Sequence, residues 1–292
     1  MSYFHGINKK KGYFEGWYFR NQNDTEVISL IPAFHIDEKG KKSASIQVIT
    51  NTVSDYIMYP IEDFAVSRKK LGIRIGNNIF TKDGIIVNFN TKKIEVKGAL
   101  KFSKFTPLKY DIMGPFKYMP FMQCRHSVFS LSHKVTGKLR INGGVMYFNQ
   151  GLGYVEGDRG IEFPRSYFWT QCSWGDQANN AIMISIADIP IANVTFKGCI
   201  AVIYYGGKEY RLATYLGVKI MKYNKNELWV QQGGYDLYVT LIDKNPHKLL
   251  APVKGSMMRT VYESIDCKIR YRFMVNKKLI FDFIGRGSFE RG

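Results

Sequence analysis

The stretch Gly72–Gly98, GIRIGNNIFTKDGIIVNFNTKKIEVKG, sets apolar residues at every second position: Ile73 and Ile75, then Ile85, Val87 and Phe89, then Ile94 and Val96. Between these runs lie Gly76-Asn77-Asn78, Lys82-Asp83-Gly84 and Asn90-Thr91-Lys92. Such residues make tight turns, because Gly and Asn accept left-handed backbone and Asp and Asn bond nearby amides. A period of two sends alternate side chains to opposite faces of a strand, so the stretch predicts short half-buried strands in an antiparallel meander. The second half has the same style in Val218 and Ile220, Leu228 and Val230, Leu237 to Leu241, and in Ile269, Tyr271, Phe273 and Val275 alternating with Lys268, Arg270 and Arg272. No long stretch has a 3.6-residue period, so helices are expected to be few and short.

Meanders of this many strands commonly close into barrels, since closure removes exposed edges. A chain of 292 residues makes one very large barrel or two ordinary ones. An internal echo favours two: YFEG at Tyr13–Gly16 recurs as YVEG at Tyr154–Gly157, and VKG at Val96–Gly98 recurs at Val253–Gly255, each offset by about half the chain. The expected fold class is therefore all-β, two tandem antiparallel β-barrels, with domains at 1–145 and 146–292. Thr106–Pro120, TPLKYDIMGPFKYMP, is expected to be extended or looped because of its three prolines.

Hydrophobic residues make up 45% of the chain and aromatics 15%, which excludes a disordered chain and predicts an aromatic-lined interior. The start shows no secretory h-region, and the apolar run Ala181–Phe196 is broken by Asp188, Pro190 and Asn193 and is too short to span a membrane, so a cytoplasmic protein is expected. Cys124, Cys172, Cys199 and Cys267 form no C-x-x-C pair and are expected to be free thiols. The formal charge of +18 comes from lysines scattered in short turn-like groups, which reads as a solvated surface, with weak contact to an anionic membrane surface as the alternative. Nucleic acid is not an expected partner.

Acids beside aromatic side chains are the candidate chemistry. Glu15 lies in GYFEGWYFR, and Glu156, Asp158, Arg159, Glu162 and Arg165 lie in GYVEGDRGIEFPRSYFWTQCSW with Tyr167, Phe168, Trp169 and Trp174. Desolvation raises a carboxyl's pKa unless a cation restores the anion, and an acid kept neutral can donate a proton. The alternatives are structural: Glu15 and Glu156 bonding backbone amides at strand starts, and Asp158 with Arg159 and Arg165 forming a rim ion pair. No G-x-S-x-G, H-E-x-x-H or Walker loop is present, and Gly151-Leu152-Gly153 reads as a turn. His126 and His133, seven residues apart, should face opposite sides of a strand, so no metal site is expected.

FEGWYFR, EGDRGIEFPRSYFWTQC, and LLAPVKGSM followed by Glu263-Ser264 resemble, in order and spacing, three signatures of the tocopherol cyclase family, across nearly the whole chain. That family and its wider group, carotenoid 1,2-hydratase and AttH-like proteins, implies two lipocalin-like barrels. It also implies a reaction in which an acid protonates an alkene of a prenylated quinol and the phenol oxygen, or water, captures the cation, without metal or organic cofactor. By this resemblance the acids are Asp158, Glu156 and Glu15, and the ligand-binding residues are Trp17, Tyr18, Arg159, Arg165, Trp169, Gln171 and Trp174. The partner implied is an isoprenoid lipid or other hydrophobic small molecule, either cyclised or only carried.

Overall fold

The structure is a computed structural model that describes residues 3–120, 122–175, 178–191 and 194–292, so Asn193 of the apolar run lies outside the described residues. The first sheet holds β1 (Tyr13–Gln22), β2 (Val27–Ile36), β3 (Lys42–Thr50), β4 (Ser54–Pro60), β5 (Phe64–Val66), β6 (Gly72–Ile75), β7 (Asn78–Thr81), β8 (Gly84–Asn90), β9 (Glu95–Phe102), β10 (Cys124–Ile141) and β11 (Gly144–Gly160). The second holds β12 (Tyr167–Trp174), β13 (Asn180–Ile191), β14 (Val194–Tyr205), β15 (Lys208–Ala213), β16 (Lys219–Tyr223), β17 (Glu227–Gln232), β18 (Tyr235–Leu241), β19 (His247–Val253), β20 (Ser256–Val275) and β21 (Lys278–Arg291). All described helical elements are 3-10 turns of three to five residues. None is long and apolar enough to cross a membrane.

Each sheet brings its first strand beside its last: β1 pairs with β11, and β12 with β21. In the first sheet the end strands β4 and β5 are joined by the short turn Ile61–Asp63, and in the second β15 and β16 are joined by Thr214–Leu216. The first sheet is thus curled almost shut. In the second, the Gln232 side chain bridges the gap, accepting from Ala213 N at 2.9 Å and donating to the Arg211 carbonyl at 3.0 Å. The chain is all-β, a pair of antiparallel sheets, as the period of two predicts. The change of sheet comes in the linker Ile161–Ser166, while the expected border at 145/146 falls inside the first-sheet strand β11.

The echo has a different origin from the one expected. Tyr13–Gly16 and Tyr154–Gly157 do not open two barrels; they lie on neighbouring strands of one sheet, with Gly16 opposite Asp158 and Tyr18 opposite Glu156. Val96–Gly98 lies within strand β9, whereas Val253 ends β19 and Lys254-Gly255 make the turn into β20. That turn rests on the first sheet: Gly255 has φ +81°, and a Cβ there would stand 2.1 Å from the Ile36 carbonyl oxygen.

Strand parity decides what each side chain meets. On β1, Tyr13, Trp17 and Phe19 enter the core of the first barrel with Ile28, Leu30 and Phe34, and each such large buried side chain contributes about 1.5–3 kcal/mol. On β12, Phe168 and Cys172 enter the core of the second with Ile184, Leu212 and Tyr271. The opposite faces of these strands turn to each other and enclose a third apolar cluster that includes Tyr18, Leu131, Tyr154 and Trp169. Two arms clamp this contact. Thr106–Pro120 crosses to the second sheet, where Arg211 donates to the Asp111 and Tyr110 carbonyls at 3.0 Å each. In return, β19 lies on β3, its Leu250 bonded at both backbone groups to Gln47 at 2.8 and 3.0 Å.

Candidate functional site

A cavity of about 1300 Å³, mouth included, opens between the two sheets. Its walls are mainly apolar, with Phe14, Ile31, Met113, Phe163, Trp169 and Leu249 among them, and the looped arm Thr106–Pro120 supplies Met113 and Phe116. Large, mostly apolar clefts with a few convergent polar groups are what small hydrophobic ligands require. The polar groups converge from both sheets: His126, Glu156 and Asp158 from the first, Glu263 and Glu290 from the second.

The first-sheet group is built by register. Asp158 on β11 lies opposite His126 on β10, and Glu156 lies two residues along the same face. The imidazole sits between the two carboxylates, Nδ1 at 3.0 Å from Asp158 Oδ1 and Nε2 at 3.2 Å from Glu156 Oε2. Burial alone would lower the His126 pKa, but the two facing carboxylates outweigh it and hold the ring well above its ordinary value, as imidazolium at neutral pH. Glu156 is raised, first by desolvation, although His126 and the Tyr154 hydroxyl pull it down. Its Oε2 accepts from Tyr154 and, at 3.2 Å, from Trp169 Nε1, an indole of the second sheet. Both contacts to Asp158, from His126 and from the Cys124 thiol at 3.5 Å, fall on Oδ1, which leaves Oδ2 for a ligand.

These three residues bring ligand atoms within 4.8 Å of one another, a spacing that invites a metal. The two ring nitrogens, however, face different carboxylates, Nδ1 that of Asp158 and Nε2 that of Glu156. The ring is hydrogen-bonded through Nδ1 to Asp158, and Nε2 faces Glu156 at ion-pair distance.

On the second sheet Glu263 and Glu290 are direct cross-strand neighbours, a placement that is unfavourable if both are charged. Glu290 is pushed up to about 7, chiefly by burial and then by Asp158 and Glu156, and it accepts from Tyr167. Burial and Glu290 hold Glu263 well above the carboxylate range, and Tyr18 donates to it at 2.5 Å. The neighbouring buried cation, Arg20, donates to Ser288 Oγ at 2.8 Å and to the Ile265 carbonyl at 3.0 Å.

Of the residues expected at the site, Glu156, Asp158, Tyr18 and Trp169 line the cavity. Glu15 and Trp17 do not: their parity turns them into the first barrel, where Glu15 accepts from His5 N, His5 Nδ1 and Tyr13 Oη at 2.8–2.9 Å. Arg159 lies on the Glu15 side of β11 and donates to Ser127 Oγ at 3.0 Å. Trp174 packs in the second barrel on Phe281 and Phe283. Gln171 is buried between the sheets, outside the cavity wall, bonded to Ser173 at 2.7 Å, and Arg165 is exposed on the linker. His126, Glu263 and Glu290 were not anticipated as site residues. Glu263 lies in the third quoted signature, which was the available signal for it. His126 and His133 do part ways, since His133 packs between the Phe102 and Phe105 rings, 4.6 Å from each.

No family model matches this chain, and no curated protein matches its sequence. Among solved structures the fold is similar to a presumed AttH from Nitrosomonas europaea, with TM-score 0.56 and 11% identity over 95% of this chain and 92% of that one. It is also similar to kievitone hydratase from Nectria haematococca, with TM-score 0.53 and 12% identity over 99% of this chain and 92% of that one. At these identities the likeness is one of fold alone, a pair of lipocalin-like antiparallel sheets.

Proposed function

We propose that the chain binds an uncharged hydrophobic molecule in the inter-sheet cavity, an isoprenoid-bearing quinol or similar lipid, and protonates one of its alkenes in the manner of the tocopherol cyclases and related hydratases. The observation that carries this reading is an imidazole held between two carboxylates, one with a free oxygen, in a cavity whose walls are otherwise mostly apolar. A proton passes from the His126–Asp158 pair to an alkene carbon: a C–H bond forms, the π pair is consumed, and a tertiary cation remains. The faces of Trp169 and Tyr18 stabilise that cation. A phenol oxygen or water then closes the C–O bond, and the proton it loses returns to the carboxylates, so no electrons are gained or lost. The fold likeness to a hydratase supports water as one nucleophile. The +18 charge fits a brief contact with an anionic membrane surface during ligand exchange.

A second reading, a carrier without turnover, draws support from Glu156, whose Oε2 is already occupied by Tyr154 and Trp169 as a structural acceptor would be. Incubation of purified protein with a prenylated hydroquinone separates the two. Asp158→Asn and Glu156→Gln should each lower turnover by about 10²–10⁴-fold. Unchanged rates in both remove their assigned roles, and native mass spectrometry showing retained lipid with no product favours the carrier.

A further inference from the structure

We infer that the end of the molecule adjoining the cavity docks on an anionic lipid bilayer through three lysine-bearing segments; this rests on the cavity reading above and names the surface that supplies its ligand. Residues 9–12 lead into β1, 37–42 connect β2 to β3, and 254–255 connect β19 to β20. Backbone bonds hold them together: Gly12 N donates to the Asp37 carbonyl at 3.0 Å, and Gly255 N donates to the Ile161 carbonyl at 2.9 Å. Lys254 Nζ pairs with Glu38 at 3.0 Å, which ties the third segment to the second. Lys9, Lys10, Lys11, Lys39, Lys41, Lys42 and Lys254 are therefore gathered at one end, all of them exposed.

The acids of these segments leave that charge standing. Asp37 Oδ1 accepts from the backbone amides of Lys39 and Lys41 at 2.9 and 2.8 Å, and Glu38 holds Lys254 alone. Glu162, on the adjoining linker, accepts from Gln123 at 3.0 Å. Among the described residues no carboxylate pairs with the other lysines of the group. Lysine is a flexible point charge that attracts anionic headgroups without a fixed geometry, so the complement of this end is a surface of negative charge.

The apolar side chains beside the lysines select a bilayer over other polyanions. Ile7 precedes the first segment, Ile161 is bonded to the third, and Met258, 75% exposed, stands just past it on β20. Aliphatic side chains give a nucleobase no aromatic face to stack on, but they can enter the boundary between headgroups and acyl chains. The same end adjoins the cavity: Phe14, Phe163, Pro252 and Met257 line it, each within two residues of Gly12, Ile161, Val253 or Gly255. A hydrophobic ligand can thus pass from lipid to cavity along apolar side chains.

Sedimentation of the full chain with vesicles of phosphatidylcholine, with and without phosphatidylserine, tests the docking. Lys10→Gln, Lys39→Gln and Lys41→Gln together should weaken binding to the anionic vesicles by about 100-fold, at roughly fivefold per lysine. Lys208→Gln, Lys277→Gln and Lys278→Gln remove the same charge past the far ends of β14 and β20, and should change it by less than about threefold. Met258→Ser with Ile161→Ser should cost about tenfold on these vesicles and leave binding of random-sequence DNA unchanged. Equal losses in the two lysine triples, equal binding to both kinds of vesicle, or DNA held more tightly than the anionic vesicles overturns the lipid docking. Equilibrium dialysis of a prenylated hydroquinone without vesicles separates this from the cavity reading, since the Lys10, Lys39 and Lys41 variant should keep wild-type affinity. A protein that ignores vesicles but binds the quinol loses the docking face alone, and one that docks and ignores the quinol loses the cavity reading alone.

Discussion

Tyr13-Phe14-Glu15 and Tyr154-Val155-Glu156 build the same device twice on adjacent strands. In each, the tyrosine hydroxyl donates to the glutamate two residues on, and a histidine from elsewhere meets the same carboxylate: His5 for Glu15 and His126 for Glu156. The next residue on each face separates them. After Glu15 comes Trp17, which fills the first barrel, and after Glu156 comes Asp158, which opens on the cavity. One copy is a tie between His5 and the barrel; the other has a second carboxylate beside it that lines the cavity. Local sequence makes the hydrogen bonds, and strand parity decides whether they face packed side chains or a ligand.

The largest expected difference between the copies comes from removing the histidine. His126→Ala leaves Glu156 and Asp158 facing each other in the cavity with no cation, and should cost about 3–5 kcal/mol at pH 7. Its folded pKa is raised, so this contribution is full below the ordinary histidine value and fades as pH climbs through the elevated one. His5→Ala, at a side chain 36% exposed, should cost no more than about 1 kcal/mol. Urea unfolding of both variants across pH measures the contrast, and equal losses would erase it.

Next is the surplus of acid on the cavity side. Glu290 is raised to about 7 in the folded state, facing Glu263 on β20, Asp158 and Glu156 on β11, Tyr167 on β12, and Arg259 as the cation. A raised carboxyl favours folding below the unfolded value near 4.5, and that advantage is lost as pH rises through about 7. Wild type should therefore weaken by about 2–3 kcal/mol between pH 5 and 8, and Glu290→Gln should flatten that slope. A slope of the same size in the variant would place the titration elsewhere. Glu15→Gln comes third: it turns one of the two oxygens that accept these three buried bonds into a donor, for about 1–3 kcal/mol, and should leave ligand affinity unchanged.

The contrast also explains how much could be read from the chain alone. Alternation at Ile85, Val87 and Phe89 shows strands directly, because burial of every second residue is a local property. The density of acids and aromatics around Glu156 and Trp169 marks a site for the same reason. Which acid faces which space is not local, since Glu15 and Glu156 differ only in the parity of their strands against two cores. His126 reaches Asp158 across 32 residues through the long β10–β11 hairpin, and Tyr167 reaches Glu290 across 123 through the closing of the second sheet on its first strand. The echo misleads for a related reason: similar tetrapeptides arise where neighbouring strands share an aromatic environment, and here they are hydrogen-bonded neighbours.

The smallest effect sharpens the boundary of the site at two arginines. Arg165 is exposed on the linker and makes no hydrogen bond or ion pair among the described residues, so Arg165→Ala should change stability by less than about 0.5 kcal/mol and leave binding of a prenylated hydroquinone untouched. Arg259 donates to the Pro164 carbonyl at 3.0 Å, one residue away on the same linker, and its charge lowers both Glu290 and Tyr167. Arg259→Ala should therefore move the Glu290 titration to higher pH and carry the loss of stability with it, while Arg165→Ala leaves that profile where it is. Two cations at neighbouring places would then differ only in which of them the cavity's acids can sense, and a shift caused by Arg165→Ala would mean that the cavity's electrostatic reach extends past the linker.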